Sequence, residues 1–288
     1  MPNIGHVIIV TGTLMLTVGC GKRASGNYAV PDANSTTVDN TEVDALWEQR
    51  GDKEALVQAL AIYEAAYEAN PRDRHVATRL VRGWYFMGDA HTDDDEGKSI
   101  AWDTAVNWGK ACLAINDDFV AQLNEGVSEA DAAQTLTIED APCMYWMATS
   151  LGKWARMEGL ATLIKHKATV YAFISRISEL DPNFFFAATD RYWGAYYAAL
   201  PSFAGQDLDK SAEYFDKSIA AAPNNLSTRV LKASYWAVKT QNKAEFTALL
   251  TSVLEADPNA EPALVPENLN EQAKAQALLN QIDDLFAD

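Results

Sequence analysis

The chain has 288 residues, 48% of them hydrophobic and 22% charged, which is the composition of a globular body with a sizeable core. Acidic side chains outnumber basic ones by 40 to 23, and the resulting net charge of −17 repels phosphate backbones, which argues against nucleic acid as a partner. The acidity reads as a solvated surface that keeps the chain soluble.

In chain order, the first element is an export signal. Val7 to Val18 is apolar apart from Gly12 and three threonines, and is too short to span a bilayer as a mature helix. It ends at Leu16-Thr17-Val18-Gly19-Cys20, which resembles a bacterial lipobox with Cys20 as the lipidated residue. A conventional signal peptide or an uncleaved anchor is the alternative. Stable attachment then needs several acyl chains, since one chain alone binds a membrane only marginally. The following stretch to Asn40 is rich in Gly, Ser, Asn, Thr and Asp. It reads as a tether, with a coil span of roughly 25 Å. The expected organisation is a lipoprotein signal at 1–19, a tether at 20–40 and a helical domain at 41–288.

From Thr41 onward the apolar spacing is helical. Leu56, Ala59, Leu60, Tyr63, Ala66 and Tyr67 form one stripe at i, i+3, i+4 and i+7. Leu226, Val230, Leu231, Ala233 and Trp236 form another, and Phe246, Leu249, Leu250, Val253 and Leu254 a third. Pro71, Pro182, Pro223 and Pro258 break the pattern, each placed to end one helix and begin the next. The last two intervals are 41 and 35 residues, close to the period of stacked helical hairpins.

Ala59, Tyr63 and Ala66, and again Ser211, Phe215 and Ser218, supply the small–aromatic–small positions of a tetratricopeptide second helix. Val170, Ile174, Ile177 and Phe246, Leu250, Val253 do not. The predicted fold is therefore all-α, a compact α-solenoid of degenerate tetratricopeptide-like hairpins whose first helices line a concave surface. Between Asn116 and Ala141 the pattern lapses, as in a loop-rich insertion. Pro142 then restarts a helix, with Asp140 as its cap.

Strings that invite a chemical reading have bland explanations. Asp93-Asp94-Asp95-Glu96 lacks the spacing and the glycine of a calcium loop, and reads as a turn whose acids favour the next helix N-terminus. Ser150-Leu151-Gly152-Lys153 lacks the companion motifs of penicillin-binding enzymes. Gly97-Lys98-Ser99 has Thr92 where a phosphate loop needs its first glycine. The four histidines show no ligand spacing, so neither metal, cofactor nor catalysis is expected. Cys112 and Cys143 lie in different predicted helices, either bonded or as buried thiols.

The eight tryptophans either pack the core or line an apolar channel. The candidate lining residues are Trp84, Trp193, Tyr196 and Trp236, with Arg79 or Arg191 to hold a carboxylate.

The C-terminal half carries a resemblance. Leu180-Asp181-Pro182-Asn183-Phe184 is followed by Gly194-Ala195-Tyr196-Tyr197-Ala198-Ala199-Leu200-Pro201 and by Lys210-Ser211-Ala212-Glu213-Tyr214-Phe215-Asp216-Lys217-Ser218-Ile219. The closing run is Ala277-Leu278-Leu279-Asn280-Gln281-Ile282-Asp283-Asp284-Leu285-Phe286. This order resembles the TatT family, the T component associated with some TRAP transporters. The resemblance implies a non-catalytic, lipid-anchored periplasmic accessory protein, oligomeric and working with a solute-binding component. It also implies delivery of a small organic solute, apolar or a carboxylate, with membrane contact only through the lipid. A tetratricopeptide-type scaffold lipoprotein of envelope assembly, without a solute, is the alternative.

Overall fold

The computed structural model describes Tyr28 and residues 40–286. The expected signal at 1–19, Cys20, and the tether apart from Tyr28 and Asn40 lie outside the described residues. Fourteen α-helices and no strand are found among the described residues. The first six are α1 (Thr41–Glu48), α2 (Lys53–Ala69), α3 (Arg74–Ala90), α4 (Asp95–Leu113), α5 (Asp117–Asn124) and α6 (Glu129–Ala132). Then follow α7 (Ala141–Met157), α8 (Leu160–Leu180), α9 (Phe184–Ala199) and α10 (Leu208–Ala221). Next, α11 (Ser227–Leu231) runs into a π-helical segment, Lys232–Ala237. The chain closes with α12 (Lys243–Glu255), α13 (Val265–Asn280) and α14 (Ile282–Leu285).

One device starts many of these helices: a short acidic or amide side chain accepts the first orphan N–H. Asp52 takes the amide of Ala55, Asp73 that of Val76, Asp94 that of Gly97 and Asn116 that of Phe119. Asp207 and Asn242 do the same for α10 and α12. Each such cap contributes about 1 kcal/mol. The acidic run after His91 thus contains the cap of α4, with Asp95 and Glu96 in the first turn. Asp140 differs from expectation. Its side chain does not cap α7; it is fully buried, and its carboxylate receives the Thr137 amide at 2.9 Å, the Asn116 amide group at 2.7 Å and the Arg74 guanidinium. The lapse before it contains α5, α6 and two short 3₁₀ turns, and this carboxylate ties that region together.

The break prolines also differ in detail. Pro71, Pro182 and Pro223 sit in connecting turns ahead of the next helix, while Pro258 opens a 3₁₀ turn. A side-chain cap such as Asp73 satisfies the orphan donor that proline merely tolerates.

Helices adjacent in sequence pack side by side: α1 on α2, α2 on α3, α3 on α4, α7 on α8 and α9 on α10. The insertion lets α4 pack on α7 directly. Close approach depends on small residues. A Cβ on Gly109 would lie 2.5 Å from Met147 of α7, and one on Gly194 only 2.6 Å from the Phe215 ring of α10. Around Phe215, Ser211 donates to the Gly194 carbonyl at 2.7 Å and Ser218 to that of Ala187 at 3.2 Å. The two serines thus let α9 and α10 touch while satisfying their own hydroxyls.

Cys112 and Cys143 are fully buried and disulfide-bonded, Cα–Cα 5.7 Å, pinning α4 to α7 across the insertion. Tyr28, inside the expected tether, stands edge-on to Phe119 with ring centroids 5.3 Å apart, so the tether touches the helical body there.

Two outcomes test this packing. Gly194→Ala forces the Phe215 ring to move and should cost about 1–3 kcal/mol in chemical denaturation. Replacing both Cys112 and Cys143 with Ala opens a loop of 31 residues; chain-entropy loss predicts a stability decrease of about 3–4 kcal/mol, and an unchanged denaturation midpoint would refute the bond's contribution.

Candidate functional site: an aromatic cavity with a charged wall

A cavity of about 460 Å³, predominantly apolar, lies between α3, α7, α8, α9, the α11–π segment and α13. Helical geometry aims the residues at it. On α3, Arg82, Tyr85, Phe86 and Asp89 follow i, i+3, i+4, i+7; on α13, Glu267, Glu271, Lys274 and Leu278 follow i, i+4, i+7, i+11. Each set is one face of one helix. The aromatic wall is continuous: Tyr145 lies 4.9 Å from Trp146, Trp146 5.1 Å from Tyr85, and Phe185 5.2 Å from Trp146, all centroid to centroid.

Into this wall are set two ion-pair groups. Asp89 of α3 receives Lys153 of α7 at 2.8 Å and Lys274 of α13 at 2.6 Å, and Lys274 also reaches Glu271 at 2.7 Å. Asn270 completes the Asp89 shell at 3.2 Å. Glu267 accepts from Arg50 at 2.6 Å and from Arg82 at 2.7 Å. Burial by itself would raise the Asp89 carboxyl, but the two ammonium groups outweigh it and hold Asp89 well below the usual carboxylate range. The same balance, burial against Arg82 and Arg50, leaves Glu267 lowered. Burial would lower Lys274, yet Asp89 and Glu271 raise it. Asp89, Glu267 and Lys274 are therefore charged near neutrality. Burial pushes the Tyr196 phenol up to about 12, so that wall residue stays neutral.

Backbone irregularity borders the cavity on two sides. Phe185, Phe186 and Ala187 have φ of 42°, 58° and 53°. Left-handed backbone costs about 1–2 kcal/mol per non-glycine residue. The turn is held by hydrogen bonds from Arg191 to the Phe186 carbonyl at 3.1 Å and from Ser218 to that of Ala187. Across the cavity, the π segment presents Ser234 and Tyr235. Both features are of the kind that accumulates at binding sites.

Among the candidate lining residues, Arg191 and Tyr196 are in the wall. The others lie outside it. Trp193 packs beside the wall among Tyr171, Tyr196 and Tyr197. Trp84 donates to Glu64 at 3.3 Å, and Trp236 to the Leu208 carbonyl at 2.9 Å. Arg79 stacks 4.4 Å above the Trp47 ring and lies 3.6 Å from Asp44, because α1 covers that end of the α3 face. Trp102, Trp146, Tyr145 and Phe185 stand in the wall instead. Aromatic spacing alone does not separate the two groups; the signal the sequence does hold is a pair of opposite charges, Arg82 and Asp89, on the Phe86 face of α3.

The described residues thus form an all-helical body holding an aromatic cavity with an ionised wall. The chain belongs to the TRAP transporter T-component family, whose model matches residues 53–286. It is thus an accessory component of a TRAP transport system, in a family that works outside the cytoplasm. No match is found among curated proteins. No helix of the described residues is long and apolar enough to cross a membrane.

Because Asp89 and Glu267 titrate below their unfolded values, they stabilise the fold above about pH 4 and that stability is lost as pH falls through their native range. Asp89→Asn strands Lys153 and leaves Lys274 with Glu271 alone, so it should cost about 3–5 kcal/mol at pH 7 and flatten the acid limb of the stability curve. Denaturant melts at pH values from about 3 to about 7 read both effects.

Proposed function

We propose that this protein is a lipid-anchored periplasmic accessory component that docks the solute-binding component of its TRAP system and holds a small organic solute, apolar or carboxylate, in the α3–α13 cavity. The observation that carries the reading is the cavity itself, large enough for a small organic molecule and walled by aromatic rings. A scaffold of envelope assembly has no need of such a space, which favours the solute reading over that alternative. Cys20 is the proposed lipid attachment, and the hairpins are read as degenerate tetratricopeptide-like repeats in a homo-oligomer. The chemistry of transport then belongs to other subunits, and this chain performs no catalysis.

Ala195 faces the cavity from α9, where a larger side chain can enter open space. The test is to isolate the full chain with its cognate solute-binding component and analyse the small molecules retained. Wild type should carry a solute and capture the component, whereas Ala195→Trp should lose at least about tenfold of the solute, a change of about 1.4 kcal/mol, with capture unaltered. Retention of solute by a folded Ala195→Trp variant would place the solute elsewhere.

A further inference from the structure

The charges in the cavity wall do not balance. Seven cationic side chains face three carboxylates, in a chain whose net charge is −17. Arg82, Lys153 and Lys274 are matched by Glu267, Asp89 and Glu271. Lys98, Arg156, Lys167 and Arg191 have no carboxylate within ion-pairing distance among the described residues. Lys98 reaches the Asp93 carbonyl, Lys167 the Ala204 carbonyl, and Arg156 lies 4.9 Å over the Tyr235 ring.

Arg191 is the exceptional one, because it is 5% exposed. Its guanidinium engages only neutral acceptors, the Phe186 carbonyl at 3.1 Å and the Tyr145 hydroxyl at 3.0 Å. Two of its five N–H groups are thereby used. A buried cation without a counter-ion is costly, by several kcal/mol in general. Tyr145 is itself 5% exposed and accepts from Arg191, so its own O–H proton is free to donate. The two groups thus present N–H and O–H donors side by side at the inner wall, next to the rings of Trp146 and Phe185.

Resting on the solute-holding reading above, we infer that Arg191 and Tyr145 form an anion-reading subsite and that the cavity selects an amphipathic anion, with its charged group on these two residues and its apolar body against Trp146 and Phe185. The bound anion supplies the counter-charge that the fold withholds from Arg191. Lys98, Arg156 and Lys167 offset the repulsive field of the acidic surface along the way in. A neutral apolar molecule of equal length leaves Arg191 buried and unpaired, and so binds more weakly.

Calorimetric titration of the full chain with decanoate and with decan-1-ol, both as monomers, tests this. Wild type should bind decanoate at least tenfold more tightly than the alcohol. Arg191→Met should bring the two affinities within twofold of each other, and Arg191→Lys should restore part of the preference. Equal affinities in wild type, or a preference that survives in Arg191→Met, overturn the anion subsite and leave the solute-holding reading intact. Binding of neither probe overturns both. Should Arg191→Met fail to fold, the wild-type ratio decides alone, supported by a reduced ratio in Tyr145→Phe, which keeps the ring.

Discussion

The structure depends on a polar closure. Residues far apart in the chain meet at Asp89, which is 64 positions from Lys153 and 185 from Lys274, while Glu267 joins α13 to Arg50 across 217 positions. Such pairs contribute little net stability, because removing their charges from water offsets most of their attraction. Their value is geometric. Apolar walls brought together would interdigitate to native packing density and abolish the space between them. An ammonium held 2.6–2.8 Å from a carboxylate fixes the spacing of α3, α7 and α13 instead, so the ion pairs act as a brace around a void.

The rest of the fold supplies the rigidity such a brace needs. Sequential helices approach through glycine and serine, and the disulfide fixes α7 against α4. α7 carries Tyr145, Trp146 and Lys153 into the cavity, so its placement sets much of the wall. The left-handed turn at Phe185 to Ala187 is the opposite case, a local cost of about 3–6 kcal/mol accepted to turn the Phe185 ring onto Trp146. Arg191 and Ser218 are the two side chains that bind its carbonyls, which ties the geometry of the turn to a guanidinium in the cavity wall.

The helical body was legible in the sequence because burial has a period there. Leu56, Ala59, Leu60 and Tyr63 are all buried, as are Phe246, Leu250 and Val253, and the i, i+3, i+4 spacing states this directly. The cavity wall was less legible. Tyr196 and Trp193 sit three residues apart on one helix with their rings 5.4 Å apart, and only the tertiary neighbours separate them: Trp193 meets Tyr214 of α10 and donates to Ser178 of α8 at 3.4 Å, while Tyr196 lines the cavity. Arg79 and Arg82 present the same problem one turn apart: both lie over Trp47, but Arg79 turns toward Asp44 of α1 while Arg82 pairs with Glu267 of α13 and reaches the Trp146 and Phe185 rings. Contacts that cross most of the chain leave no local period. Nor does anything in Phe184-Phe185-Phe186 mark a left-handed turn, since glycine is the usual signal for one and none is present.

The division of charge within the wall separates shape from selectivity. The braced groups neutralise one another, so their combined field at the centre of the cavity is small, and altering them alters chiefly the distance between helices. The unmatched cations contribute almost nothing to the closure, since none of them joins α3 to α13, yet they set the sign of the potential that an entering molecule meets. Arg191 has a second part to play, because it ties the turn at Phe186 as well as facing the void. A substitution there therefore changes wall geometry and charge together, whereas substitutions at Lys98, Arg156 and Lys167 change the charge while the helices stay where the brace puts them.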